Sequence, residues 1–148
     1  VKFVSVDPGE SCGYAVWEDG VLTAAGTAEL WDFVHSVGEV LGIGHHRGLD
    51  PELLSRLTDV KELVIEDWAL YPWKLQEMGW DKCRTARAIG ALEFICRAAN
   101  IPYKMQPASI KDTAKAAGAD DLFYRPLDEN RHANDAIMHG VVRNLKGA

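Results

Sequence analysis

Lys2 to Asp7 alternates polar and apolar side chains and is rich in Phe and Val, which is the two-residue period of a strand. Pro8-Gly9 breaks it. Gly13 to Glu18 reads as a second strand, Asp19-Gly20 as a two-residue hairpin turn, and Val21 to about Leu30 as a third strand. Apolar residues at helical spacing from Trp31 to Leu41 predict a helix, and the glycine-rich stretch from Gly42 to Gly48 predicts a loop. Asp50-Pro51-Glu52 places a capping acid before a proline, which predicts a helix running to about Leu57. Glu62 to Asp67 is a short apolar run ending in two acids, the pattern of a buried strand. Trp68 to Trp73 reads as an aromatic loop. Gln76 to Asn100 reads as a long helix with Ala86, Ile89, Leu92, Ile95 and Cys96 on one face. A short strand from Ile101 to Gln106, a helix from Pro107 to about Ala117, a loop over 118–130 and a last helix from Arg131 to Leu145 complete the chain.

Three strands in a meander, followed by strands alternating with helices, predict an α/β fold: a mixed five-stranded sheet with helices on both faces. The 148 residues suit one domain spanning residues 1–148, large enough to bury a core without staples. No apolar run approaches the roughly 20 residues of a membrane helix, so no membrane partner is expected. The first residues run straight into strand-like sequence, so no signal peptide is expected. Cys12, Cys83 and Cys96 are odd in number and form no close pair, which fits neither a zinc site nor a disulfide framework. A reducing cytoplasm, bacterial or that of a phage-infected cell, is the expected compartment.

The net charge of −6 looks wrong for a nucleic-acid partner, but its distribution alters that view. Residues 1–73 carry four Lys/Arg against thirteen Asp/Glu, whereas residues 74–115 carry eight against four. The middle third is a basic island in an acidic chain. Charge alone does not separate a nucleic-acid footprint from a solvated helix face.

Candidate chemistry lies in acids far apart in sequence. Asp7 ends the first predicted strand and Glu66 ends the fourth, while His132 and Asp135 stand three apart on the last helix. Acids at the ends of two neighbouring strands converge at one edge of a sheet. Three or four oxygen and nitrogen donors gathered at one point suit hard divalent cations, and without cations such a cluster is costly through repulsion and desolvation. Each residue taken alone has an ordinary explanation as a turn residue, an exposed strand end or a helix-start anion. Their conjunction, in this order and on these elements, points to a metal site.

These segments resemble the RuvC-type Holliday junction resolvases of the RNase H-like superfamily. Val6-Asp7-Pro8-Gly9 followed by Gly13-Tyr14 is similar to that family's opening; Val64-Ile65-Glu66 is similar to its second acid. Pro107-Ala108-Ser109-Ile110-Lys111 resembles its Pro-x-x-Val-Lys segment, and Arg131 to Ala136 its last helix. The resemblance implies an RNase H-like fold and two Mg²⁺ or Mn²⁺ ions per site hydrolysing a phosphodiester. It also implies a homodimer that nicks opposite strands of branched DNA, with no small-molecule cofactor. It assigns Asp7 to both ions, Glu66 and Asp135 to one each, and His132 as the fourth ligand; a histidine shifts the preference towards Mn²⁺.

Trp68, Tyr71, Trp73 and Trp80 follow the Glu66 strand, and Tyr71 and Trp73 are the candidates for stacking on unpaired bases. Lys74, Lys82, Arg84 and Arg87 are candidate phosphate contacts. Lys111 and Lys115, four apart on one face, stand near the expected site with Lys111 facing the scissile phosphate; Arg125 and Arg131 are weaker candidates. Asp67 should point away from Glu66 across the strand. His139 reads first as a packed histidine and second as support for the site, and His45 and His46 read as loop residues. The competing readings are an RNA-processing nuclease of YqgF type and a nucleic-acid-binding module with a dead site. An actin-like kinase shares the Asp-Pro-Gly style of opening, but its two-domain fold needs a longer chain.

Overall fold

The computed structural model describes residues 1–67 and 83–147. Strands β1 (Lys2–Asp7), β2 (Ser11–Glu18), β3 (Val21–Glu29), β4 (Glu62–Glu66) and β5 (Tyr103–Gln106) form one sheet in the order β3-β2-β1-β4-β5. β1 and β2, like β2 and β3, pair antiparallel, whereas β1 and β4, like β4 and β5, pair parallel. The expected mixed five-stranded sheet is therefore present. Asp19 and Gly20 take left-handed φ of 51° and 82°, the conformation a two-residue turn needs to match strand twist.

Strand alternation sends Val4, Val6, Tyr14, Val16, Leu63 and Ile65 to one face, where they form the main core. Helices α1 (Leu30–Val40), α2 (Pro51–Leu57) and α3 (Arg84–Ala99) supply its other side through residues such as Phe33, Val37, Leu57, Leu92 and Cys96. On the opposite face Phe3, Ala15, Trp17 and Val64 pack against Ala133, Ala136 and Ile137 of α5 (Arg131–Leu145). The short helix α4 (Lys111–Ala116) leans on α5 through Ala114 and Met138.

α5 is pinned along its length. Ser5 Oγ donates to Ala136 O at 2.6 Å and accepts from Trp17 Nε1 at 3.0 Å. The helix lies so close to the sheet that a Cβ on Gly140 would sit 2.1 Å from Trp17 Nε1, and one on Gly13 would sit 1.9 Å from His132 O. Towards the helix end, buried Arg143 pairs with Glu62 at 2.7 Å and covers the Phe3 ring. Because both groups are buried, this pair specifies position more than it adds net stability.

Element ends depart from the sequence expectation where a cap competes with the pattern. β3 stops at Glu29 because that side chain accepts from Asp32 N at 2.9 Å and starts α1. Asp50 caps α2 as expected, accepting from Glu52 N at 3.0 Å. β5 starts at Tyr103 rather than Ile101, since Ile101 N–H still bonds Cys96 O and closes α3, and Pro102 has no N–H to offer. The expected helix from Pro107 divides into a 3-10 turn, Ala108–Ile110, followed by α4, and the expected loop after it contains a 3-10 turn at Ala119–Leu122. The expected helix from Gln76 is α3 within the described residues; its first part, to residue 82, lies outside them. No described helix is long and apolar enough to cross a membrane.

Candidate metal centre

Asp7 and Glu66 are the last residues of two neighbouring parallel strands whose register pairs Val6 with Ile65. Their side chains point to the α5 face, which explains why Asp67 is exposed elsewhere. α5 answers with His132, Asp135 and His139, a stripe of one side chain per turn. The close approach at Gly13, the strand partner of Asp7, brings the first turn of α5 down onto the sheet edge.

His132 Nδ1 lies 3.2 Å from Asp7 Oδ2. Asp7, His132 and Asp135 each offer a ligand atom, all within 4.8 Å of one another. Glu66 stands beside this triad. Its Oε2 is 2.9 Å from His139 Nε2 and 3.3 Å from Lys111 Nζ, and the same ammonium is 3.2 Å from Asp135 Oδ2. Lys111, the first residue of α4, thus bridges the two acids. His139 is fully buried, and its Nδ1 lies 2.8 Å from Gln106 Oε1 on β5.

Burial, then the nearby charges of Glu66 and Asp135, push Asp7 up to about 6 despite the His132 hydrogen bond. Burial also acts to raise Glu66, but the hydrogen bond from His139 and the charge of Lys111 outweigh it and hold the carboxyl below its usual range. For Lys111, burial works against the charge and the two carboxylates work for it, leaving the ammonium raised. The site carries more negative charge than one lysine offsets. That excess, together with carboxylate oxygens and an imidazole nitrogen converging on one point, fits a hard divalent cation.

Of the remaining sequence candidates, Arg84 pairs with Glu29 at 3.4 Å, and Arg87, Lys115, Arg125 and Arg131 are exposed. Lys111 faces carboxylates, as an internal counter-ion. Tyr71, Trp73, Lys74 and Lys82, with Trp68 and Trp80, lie outside the described residues. His45 pairs with Glu39 at 3.0 Å, and His46 stacks on His35, so neither joins the site. Gln106 carries no signal in the sequence, and His139 reads there first as packing and only second as support for the site. The stripe at 132, 135 and 139 was a usable signal for the histidine. Nothing pointed to Gln106 without the register that pairs it with Glu66.

No protein-family model matches the sequence, and no curated protein matches it. Among solved structures the chain is similar to T. thermophilus RuvC in complex with Holliday junction substrate. The TM-score is 0.62 at 14% identity, over 97% of this chain and 92% of that one. It is also similar to the Thermus thermophilus RuvC structure, with a TM-score of 0.55 at 16% identity over 99% and 97% of the two chains. At that identity the likeness shows the fold, and the fold is RNase H-like.

Proposed function

We propose that this protein is a metal-dependent endonuclease that resolves four-way DNA junctions by paired nicks, acting as a homodimer of single nuclease domains. The observation carrying this reading is the convergence of Asp7, His132 and Asp135, with Glu66 alongside, at the carboxyl edge of a fold shared with a RuvC bound to a Holliday junction. Two divalent ions, Mg²⁺ or Mn²⁺, would supply an activated water and stabilise the leaving oxygen of a phosphodiester. Asp7, His132 and Asp135 would hold one ion, and Glu66 would hold the other with Asp7 shared; Lys111 now bridges Glu66 and Asp135. Freed from its two carboxylates, the Lys111 ammonium would meet the scissile phosphate. Arg84, Arg87 and Lys115 would add contacts to the sugar–phosphate backbone, as would Lys74 and Lys82, with Tyr71 or Trp73 stacking on an unpaired base.

The deciding experiment compares a synthetic four-way junction with linear duplex, RNA–DNA hybrid and structured RNA, each in Mg²⁺ and in Mn²⁺. Symmetrical paired nicks in the junction, at least a hundredfold faster than cleavage of the others, are expected. Cleavage confined to RNA would replace this reading with an RNA-processing one, and no cleavage at all would leave a binding module.

Metal binding has a second readout in stability. Asp7 titrates near 6 in the fold and at 3.8 when unperturbed, so the native state holds its proton longer than the unfolded chain does. In ion-free protein its ionisation therefore costs stability progressively as pH rises from about 4 to 6, and fully above that. A divalent ion reverses the penalty. Mn²⁺ should raise the melting temperature by about 5 °C or more at pH 8 and by little at pH 5, measured by scanning calorimetry. Equal shifts at both pH values would rule out this site as the one occupied.

A further inference from the structure

Glu66 is the one carboxylate of the cluster gripped from behind. Both of its polar contacts among the described residues, His139 Nε2 at 2.9 Å and Lys111 Nζ at 3.3 Å, fall on Oε2. Among the described residues Oε1 has no hydrogen-bond partner. The lysine contact is exchangeable, because that side chain is about a quarter exposed and shared with Asp135. The histidine contact is not. His139 is fully buried, one turn beyond Asp135, and its other nitrogen is tied to Gln106 at 2.8 Å. Gln106 in turn is the strand partner of Glu66, so the chain Glu66–His139–Gln106 links β4, α5 and β5.

The chemistry of this hydrogen-bond chain fixes its direction. A carboxylate can only accept, so Nε2 must carry the hydrogen that it donates to Glu66. Gln106 suits either state of the other nitrogen: its carbonyl accepts from Nδ1–H, or its amide N–H donates to a bare Nδ1. The ring is therefore held with N–H towards Glu66 whichever way the amide stands.

We infer that His139 and Gln106 are positioning residues that lock the Glu66 carboxylate with Oε2 turned inward and Oε1 presented to a cation. This rests on the reading of Glu66 as a ligand. It goes further by assigning a role to two residues outside the ligand set, and by making the Glu66 side of the centre dependent on them. Partners of ligating groups commonly alter metal affinity by about 10–100-fold.

The test is Mn²⁺ binding to the full chain without DNA, followed by calorimetry and by the spectrum of the bound ion. His139→Phe should weaken the Glu66-dependent Mn²⁺ site at least tenfold and leave the one held by Asp7, His132 and Asp135 within twofold. His139→Gln, whose amide N–H can reach the same oxygen, should bring the weakened site back to within about threefold of wild type. Gln106→Leu should weaken it by about threefold, and it carries the test should the phenylalanine variant fail to fold. A folded His139→Phe or Gln106→Leu protein that binds Mn²⁺ like wild type overturns the positioning role, as does a loss that glutamine does not rescue. Glu66→Gln separates the two levels: if it too binds like wild type, Glu66 is no ligand and the reading beneath falls with the inference.

Discussion

Asp7→Asn should give a protein that melts higher, still binds a four-way junction, and cuts it at least a thousandfold more slowly. The two halves of this expectation have one cause. The Asp7 carboxylate is mostly buried, at 13% exposure, and faces Glu66 and Asp135, which together with burial push it up to about 6. Against an ordinary value of 3.8, holding it ionised at pH 8 costs up to about 3 kcal/mol of folding stability in ion-free protein. Asparagine has nearly the same shape, can still accept from His132, and carries no charge to repel. The variant should therefore gain several degrees in melting temperature without added metal. It should also lose the Mn²⁺-dependent gain of the wild type, because the charge that made the site unstable is the charge that attracts the ion. Parallel measurement of junction binding by gel shift in Ca²⁺ and of single-turnover cleavage in Mn²⁺ checks both halves. A variant that cuts at a tenth of the wild-type rate or better would remove Asp7 from the chemistry, and with it the centre described above. A variant that neither binds nor folds would contradict the electrostatic account instead.

That a carboxylate cluster should form at all was legible from the chain, and the reason is topological. Asp7 and Glu66 each close an apolar run of strand length, and in a sheet where those runs are parallel neighbours their ends must meet. The spacing of His132 and Asp135 then needs only a helix crossing the same edge. Caps and turns were legible too where they rest on local chemistry, as at Asp50-Pro51 and Asp19-Gly20. What escaped reading depended on register and on distances between elements. Glu66 and Gln106 become neighbours only once β4 and β5 are paired residue by residue. Lys111 reads as a basic residue near the site, but its contacts to Glu66 and Asp135 depend on where the start of α4 lies, which the sequence does not show. The boundary of β5 was set by the closing bond of α3 and by Pro102, a competition that hydrophobic period does not register. Charge counting along the chain found a basic island, but of its eight cations Lys111 faces the carboxylates and Lys104 lies 3.8 Å from Glu62. Sequence balance is a poor guide to local field once folding pairs charges from different thirds of the chain.

Gly13 gives the sharpest test of how the fold assembles the centre. It lies mid-sheet on β2, opposite Asp7, with β1 on one side and β3 on the other, so the strand cannot retreat. A methyl group there would stand 1.9 Å from His132 O and 2.2 Å from its carbonyl carbon, both backbone atoms that no rotamer change can move. To restore ordinary contact the first turn of α5 must lift by about 1.5 Å, while the Ser5–Ala136 bond, the Trp17–Gly140 contact and the Arg143–Glu62 pair hold the rest of the helix down. The strain therefore concentrates at His132 and Asp135. Overpacking of this kind costs about 3 kcal/mol or somewhat more. A displacement of about 1 Å in a reacting centre is worth roughly a hundredfold in rate. Gly13→Ala should thus lower the melting temperature by about 10 °C and reduce junction cleavage by at least a hundredfold even when assayed well below that melting point. The loss should lie in the Mn²⁺ concentration needed for half-maximal rate as well as in the rate itself, because His132 would leave Asp7 Oδ2, now 3.2 Å away. A Gly13→Ala protein that is destabilised yet cuts at the wild-type rate when folded would show that α5 does not need its seat on β2 to complete the centre.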